Sequence, residues 1–370
     1  MTFTFRTHPG AFGPWDEWVQ QSAHPHPEQH SAWGEAQRTA GWTPVLLLAY
    51  AGETLVGGAQ ILERPVKRLG RVGYVNRGPL IGVDDPQLRS AMVRELVRMA
   101  RDRRHLYQVF ALGYDGQGFA DEMMRQGFML RPQALPPVRV MRDTAVLDLR
   151  GSMDDLLAAM RSSTRKHIRQ GLKRGLRIRM GTEEDLPTFD VLLEALCQRR
   201  GARRNIPGGD FLKVLWRGFQ KSESLHMFVA CVGDTPIAAL LVFSLGGWVR
   251  EWRIGWNGEN AEMLPNELLR WEVMRWAKER EKVFYDFSGF DGPLTEMILS
   301  GQELPAEAMT GPSWFKLGFG GRPLRLCEDY CYFPNPVGRF VMRRFGDRLL
   351  KSRWVRTRLN RMSAQPGRPA

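Results

Sequence analysis

Two stretches of the chain carry the same pattern of apolar and polar positions. Ala49-Tyr-Ala-Gly-Glu-Thr-Leu-Val-Gly-Gly-Ala-Gln-Ile-Leu62 and Ala230-Cys-Val-Gly-Asp-Thr-Pro-Ile-Ala-Ala-Leu-Leu-Val-Phe243 each run an apolar strand into Gly-acid-Thr and return as a second apolar strand. Glycine followed by an acid between two such runs predicts a hairpin. The copies lie 181 residues apart in a chain of 370. One repeat at so long an offset predicts a duplicated domain, not a solenoid.

The flanks repeat as well. After the first hairpin the pattern predicts a strand near Val72 to Asn76 and a helix from Pro86 to Arg103, with Leu88, Met92, Leu96 and Met99 at helical spacing. A strand from Leu106 to Leu112 follows. After the second hairpin come strand Trp248 to Trp256, helix Pro265 to Lys282 and strand Val283 to Phe287. Ahead of it lie helices Met153 to Met160 and Thr164 to Arg174, with Gly175 as a stop, and strand Leu176 to Met180. Thr182 and Asp185 predict a capped start for a helix from Leu186 to Arg200. Strand, helix, helix, hairpin, strand, helix, strand is the element order of the GNAT acyltransferase fold. The expectation is an α/β (α+β) chain of two tandem GNAT-like domains, each a mixed, largely antiparallel sheet flanked by helices. They span 1–149 and 150–322, and 323–370 forms a return segment and a basic helix packing on the first domain. Element order alone does not establish acyl transfer.

The net charge of +13 predicts attraction to polyanions such as nucleic acid, phosphorylated precursors or an anionic membrane surface. A generally arginine-rich proteome gives the same number. Cys197, Cys231, Cys327 and Cys331 form no CxxC pair, and no histidine stands at zinc spacing, so buried thiols in a reducing cytoplasm are expected. No secretory signal precedes the first strand, and the longest apolar runs, such as Ile237 to Leu245, are too short to span a bilayer. His24, His26 and His30 lie in a proline-rich loop and read as solvated histidines before they read as a metal site.

There is no GxSxG elbow, P-loop or HExxH. The glycine-rich pyrophosphate turn of a coenzyme A-dependent GNAT enzyme is also missing, which favours another acyl donor. The densest cationic stretch runs from Arg161 to Arg179. Helical spacing puts Arg165 and Arg169 on one face, with Ile168 and Leu172 turned inward. This face either meets phosphates or is a solvated surface. A second cluster, Arg199-Arg-Gly-Ala-Arg-Arg204, follows a helix. Val337 to Met362 reads as basic amphipathic helix, with Val337, Val341, Phe345 and Leu349 as its apolar stripe and Arg339, Arg343, Arg344, Arg348 and Lys351 around it. Docking of that stripe on the core is expected, with the outward face open to RNA or an anionic membrane. The tail from Ser363 to Ala370 reads as disordered.

Five landmarks, in order, resemble the FemABX family of peptidoglycan peptidyltransferases over nearly the whole chain. They are Ser31-Ala-Trp33 with Gly41-Trp42, Asn76-Arg-Gly-Pro-Leu80, Ser162-Ser-Thr-Arg-Lys-His-Ile168, Tyr285-Asp-Phe-Ser-Gly289 and Trp314-Phe-Lys-Leu-Gly-Phe-Gly320. The last two are the most specific. The resemblance implies an aminoacyl-tRNA donor and a muramyl-pentapeptide acceptor, nucleotide- or lipid-linked. No cofactor, metal or DNA is implied. The setting would be the cytoplasm, with peripheral contact at the inner face of the plasma membrane open.

By the same resemblance, Phe315 and Lys316 fall where the family handles the tRNA acceptor end. Arg203 or Arg204 falls where an arginine meets the precursor's diphosphate, and Arg77 lies in the Arg-Gly-Pro turn. Three positions depart from the pattern. Gln37, with Arg38 beside it, replaces a frequent lysine; Gly113-Tyr114-Asp115-Gly116 replaces an Asp-Pro pair; Arg253 stands where a tyrosine is expected. The family's coiled-coil arm is also missing.

Aminolysis of an aminoacyl ester needs positioning, oxyanion stabilisation and a proton acceptor. Lys316 is the candidate for charge stabilisation. Phe315 either stacks on the terminal adenine or serves the core. Asp115 and Asp286 are the candidate bases, with a turn-capping role equally open to Asp286. Three rivals remain: a coenzyme A-dependent N-acyltransferase, an aminoacyl-tRNA transferase acting on a protein or lipid, and a non-catalytic RNA- or membrane-binding protein.

Overall fold

The computed structural model describes residues 2–66, 69–136, 141–204 and 206–351. In chain order the elements are β1 (Phe3–His8), α1 (Gly13–Gln21), α2 (Ser31–Arg38), β2 (Thr43–Ala51), β3 (Thr54–Val66), β4 (Gly70–Asn76), β5 (Leu80–Ile81), α3 (Pro86–Asp102), β6 (His105–Ala111), α4 (Gly116–Arg125) and β7 (Met129–Leu130). There follow β8 (Asp143–Asp148), α5 (Met153–Ala159), α6 (Ser162–Lys173), β9 (Arg177–Met180), α7 (Leu186–Arg199), α8 (Phe211–Gln220), β10 (Leu225–Val232), β11 (Thr235–Leu245) and β12 (Trp248–Trp256). The chain continues through α9 (Pro265–Glu279), β13 (Phe284–Asp286), α10 (Gly292–Leu299), α11 (Gly311–Leu317), β14 (Arg322–Arg325), β15 (Tyr330–Tyr332) and α12 (Pro336–Lys351).

Two compact units result, each built on one sheet. The first holds the described residues of Met1–Val140, Pro207–Gly218 and Leu326–Ala370. Its strand order is β1-β2-β3-β4-β6-β15-β7, with β5 beside β3. The second holds those of Met141–Ile206 and Phe219–Arg325, with strand order β14-β8-β13-β12-β11-β10-β9. Both sheets are mixed and largely antiparallel. The parallel pairs are β4 with β6 and β12 with β13. The expected fold class is therefore the observed one.

The duplication extends to an irregularity. In the first hairpin Ala51 faces Thr54, and the register slips between Ala49 and Tyr50. In the second, Val232 faces Thr235, and the slip falls between Ala230 and Cys231, the same position in the repeat. A bulge adds local twist, and both copies place it one step from the turn. Gly52 and Gly233 close the two turns at φ of 61° and 58°, a region glycine enters without steric cost.

The unit boundaries differ from the expected 149/150 and 322/323. β8 pairs with β13 and β14, so the second unit starts before Asp143. β14 completes the second sheet, so the return to the first unit begins at Leu326, not 323. Pro207–Gly218 leaves the second unit for the first. Phe211 meets Trp33 edge-on at 6.3 Å, and a Cβ at Gly218 would lie 3.0 Å from that of Ala32. These pairings join residues far apart in sequence, which local pattern does not encode.

Three local expectations also change. Leu172 on α6 points outward at 61 % exposure, while Thr164, Ile168 and Gly171 face inward. On α12 the apolar stripe stays in the open: Val337, Phe345 and Leu349 are exposed, while Gly346 and Leu350 are buried. The expected continuation of that helix over 352–362 and the tail 363–370 lie outside the described residues. His26 and His30 are buried rather than solvated. The His30 ring accepts from the Ala32 N–H at 3.2 Å, capping α2, and His26 stacks on Tyr114 at 5.3 Å.

α7 packs on β12 at very short range. A Cβ on Gly255 would lie 2.6 Å from the Leu193 nitrogen and 2.8 Å from Leu192, so helix and strand must part to admit a methyl group. Gly255→Ala should destabilise the protein by about 1–3 kcal/mol, read as a lower urea midpoint with unchanged slope.

A cationic site where the second sheet opens

β12 and β13 run parallel for only three residue pairs, Trp248 with Phe284, Val249 with Tyr285 and Arg250 with Asp286. Beyond them β12 stays on β11 as far as Trp256, while the chain after β13 follows β8, with the Phe287 N–H on the Ala145 carbonyl at 2.9 Å. β12 also slips register against β11 opposite Leu241/Val242, leaving Trp252 as the extra residue where the strands part. A bulge there re-aims the side chains that follow. The second sheet is thus open past Arg250 on one side and Asp286 on the other.

Charged groups fill the floor of that opening. Arg270 of α9 holds Glu251 of β12 with Nε on Oε1 at 2.7 Å and a second nitrogen on Oε2 at 2.8 Å. The Tyr285 hydroxyl donates to Glu251 Oε1 at 2.8 Å. All three side chains are buried. One charge-assisted hydrogen bond, the close Nε–Oε1 contact and the tyrosine donor together offset part of the cost of removing two charges from water. Burial first, and Glu251 second, push the Tyr285 phenol well above its ordinary range, so it stays a donor. Nearby, His167 of α6 meets Glu267 of α9 at 3.1 Å.

α11 lays Phe315 and Lys316 over this floor. The Arg270 guanidinium stands 5.1 Å over the Phe315 ring, whose edge meets Phe319 at 5.3 Å. Phe315 is therefore half-buried, in contact with the core on one side and with a cation on another. The Lys316 ammonium donates to the carbonyls of Ser288 and Gly289, the latter at 2.7 Å. Both residues lie in a left-handed turn, Ser288 at φ 47° and Gly289 at 54°. These bonds use two of three ammonium hydrogens and leave one for a ligand oxygen. Burial lowers the Lys316 pKa to about 8. Arg270 and Arg200 push the same way, and Glu251 and Asp286 oppose.

The rim is basic and aromatic. Arg161 lies 3.7 Å over Trp314, and its N–H bonds the Gly318 carbonyl at 2.9 Å, tying the start of α6 to the end of α11. Only glycine fits at 318, because a Cβ would stand 2.4 Å from the Thr164 hydroxyl. Arg199 covers Trp256 at 4.3 Å. Arg165 donates to the Ala158 carbonyl at 2.8 Å, so it also closes the end of α5. Arg169 is exposed and shares an open groove with Arg165, Lys166, Gln170 and Lys173.

The remaining sequence candidates are dispersed. Asp286 is not an open carboxylate: it pairs with Arg250 at 2.7 Å and accepts from the Thr144 hydroxyl and from the Ser288 N–H at 2.8 Å. It holds the turn whose carbonyls seat Lys316. Arg204 pairs with Asp190 at 2.5 Å, Arg203 is exposed, and Arg253 lies against Trp252 at 5.1 Å. In the first unit, Arg77 adopts φ 59° and its N–H bonds the Ala111 carbonyl at 2.6 Å. Arg38 pairs with Glu35 at 2.7 Å, and the exposed Asp115 meets His24 at 3.1 Å. Sequence reasoning missed Glu251, Arg270 and Glu267 altogether. Their signal was charge at inward-facing positions of strand Trp248–Trp256 and helix Pro265–Glu279.

The Lys316 shift predicts a signed dependence of stability on pH. A lysine in the unfolded chain titrates near 10.4, so between pH 8 and 10.4 the unfolded state binds more protons and stability rises with pH. Relative to Lys316→Met, the wild type should gain on the order of 3 kcal/mol across that window. Paired denaturation curves at pH 7.5 and 10.5 measure it.

The geometry agrees with three comparisons. A family model described as the acetyltransferase (GNAT) domain matches residues 158–293, and the FemAB family model matches 14–111. The aminoacyltransferase FemA of Staphylococcus aureus is 28% identical over 148 residues, a stretch covering 35% of this chain and 35% of that protein. Among solved structures, FemX superposes with a TM-score of 0.75 at 15% identity, covering 92% of this chain and all of its own. A tandem GNAT protein from the clavulanic acid biosynthesis pathway superposes at 0.50 with 12% identity, covering 90% and 99%. The chain thus has a tandem GNAT fold, with a FemAB-family match in its first half and a GNAT-domain match in its second, and its alignment spans about a third of the curated FemA relatives' length.

Proposed function

We propose that the protein is an aminoacyltransferase that moves an amino acid of the glycine, alanine or serine class from aminoacyl-tRNA to the stem-peptide amine of a muramyl-pentapeptide precursor. The observation that carries this reading is the enclosed Lys316 ammonium, seated on two carbonyls beside the Arg270-backed Phe315 where the second sheet opens. The similarity to the aminoacyltransferase FemA supports the reaction class, and the motif resemblance to the FemABX family is the ground for this donor and acceptor. The reading sets the reaction in the cytoplasm, where charged tRNA is made.

In this reaction the acceptor amine attacks the ester carbonyl, the C–N bond forms, and the tRNA ribose oxygen leaves. Lys316 supplies its remaining hydrogen to the developing oxyanion or to the ribose oxygen. Phe315 offers a stacking face for the terminal adenine, and the Arg161–Trp314 and Arg199–Trp256 stacks and the Arg165–Arg169 face offer cations to the acceptor stem. Arg203, Arg204, Arg77, Arg38 and Arg253 remain candidates for the precursor's phosphates. Asp286 acts through the Lys316 turn instead of taking the proton. Asp115 keeps an exposed carboxylate and is the candidate base.

The coenzyme A alternative is weaker for a local reason. The segment from β12 into α9, Asn257-Gly-Glu-Asn-Ala-Glu-Met-Leu264, lacks the glycine-rich turn that would cradle a donor pyrophosphate.

The test is transfer of labelled glycine, alanine or serine from charged tRNA to soluble and lipid-linked muramyl peptides. Lys316→Met should lower kcat/KM by roughly a hundredfold or more with the fold intact. If the ammonium acts charged, the wild-type rate should fall as pH rises through about 8. Undiminished transfer by Lys316→Met removes this mechanism, and acyl transfer from acetyl-CoA without any tRNA-dependent product removes the function.

A further inference from the structure

We propose that the outward face of α12 docks the protein on an anionic lipid surface. This goes beyond the transfer reaction and does not rest on it. The helix is fastened to the first unit by one face only. Arg339 donates to the Phe333 carbonyl at 2.9 Å and to the Tyr332 hydroxyl at 2.8 Å, with its guanidinium 4.5 Å over that ring. Arg343 donates to the Gly127 carbonyl at 3.1 Å, and Gly346 and Leu350 are buried on the same side.

The opposite face is apolar and cationic together. Val337 and Phe340 are 69 % and 66 % exposed, Phe345 and Leu349 also face out, and Arg344 and Arg348 stand among them. In sequence the helix carries five Arg and Lys against one acid, Asp347.

Charge and apolarity in one arc select among partners. RNA phosphates would take the arginines but leave Val337, Phe340 and Leu349 in water. A second copy across a two-fold axis would set Arg344 and Arg348 against their own counterparts. An anionic bilayer serves both components, because lipid phosphates take the guanidiniums while the apolar side chains enter the acyl boundary. Arginine stems long enough to snorkel let both occupy one face. No helix among the described residues is long and apolar enough to cross a membrane, so the attachment is at the surface.

Flotation of the full chain with phosphatidylcholine vesicles, with and without phosphatidylglycerol, tests this. Binding should require phosphatidylglycerol and weaken at high salt. Phe340→Glu with Phe345→Glu should cut the bound fraction about tenfold or more, and so should Arg344→Glu with Arg348→Glu. Unchanged circular dichroism and Tm would certify both variants as folded. Three results overturn the proposal: no preference for phosphatidylglycerol, binding unchanged in both variants, or a solution dimer that Phe340→Glu dissociates in a protein that ignores vesicles.

Discussion

The buried ion pair of Arg270 with Glu251 is the interaction on which the rest of the second unit's site depends. Both charges are removed from water, and neither strand pairing nor apolar packing requires them there. Such a pair contributes little net stability, yet deleting one partner costs about 3–5 kcal/mol because the other is left charged and buried. The consequence is positional. Glu251 fixes Arg270, and Arg270 backs the Phe315 ring. The same carboxylate also opposes the desolvation that lowers the Lys316 pKa. One ion pair therefore sets the place of the aromatic, while its two halves push the neighbouring amine in opposite directions and leave burial as the main cause of its lowered pKa.

The duplicated hairpins show what the fold repeats and what it does not. Strand pattern, turn and bulge recur. The parallel pair beside them does not, because β4 stays on β6 to the last residue of both strands, Asn76 opposite Ala111, while β12 leaves β13 after Arg250. β12 bulges at that departure, freeing Glu251 and the residues after it from the β13 edge. The proposed chemistry sits in the half where sheet pairing stops early, since an edge without a partner strand is where side chains and ligand can take its place.

Much of this was legible in the sequence, for reasons that also mark its limits. Strands such as Trp248–Trp256 and helices such as Pro86–Asp102 declare themselves through local spacing, and the structure reproduces them within a few residues. Phe315 and Lys316 stood out through a short motif. The partners that give Lys316 its properties did not, because Ser288, Glu251 and Arg270 lie 28 to 65 residues away in sequence. Asp286 was misleading for the same reason. Its acid looks available until Thr144, 142 residues away, and Arg250 are seen to occupy it. The path of Pro207–Gly218 into the first unit, and the rotation of α12 that bares its apolar stripe, likewise follow from contacts between distant segments.

Lysine at 316 is itself a compromise that the surroundings make sense of. A buried ammonium with no carboxylate in direct contact is costly, and carbonyl dipoles offset only part of the cost. Methionine would fill similar space without that cost, and arginine would retain full charge but present a rigid fork to two carbonyls on one turn. Lysine alone offers three hydrogens around a point, two for the Ser288–Gly289 turn and one for a ligand, with a pKa close enough to neutrality that the site's other charges tune it. The left-handed turn, the Asp286 hydrogen bonds that hold it, and the glycine that lets α11 approach α6 all serve that single nitrogen. A network that spends stability to fix one amine at the mouth of an open sheet is what the proposed transfer reaction requires of its positioning groups.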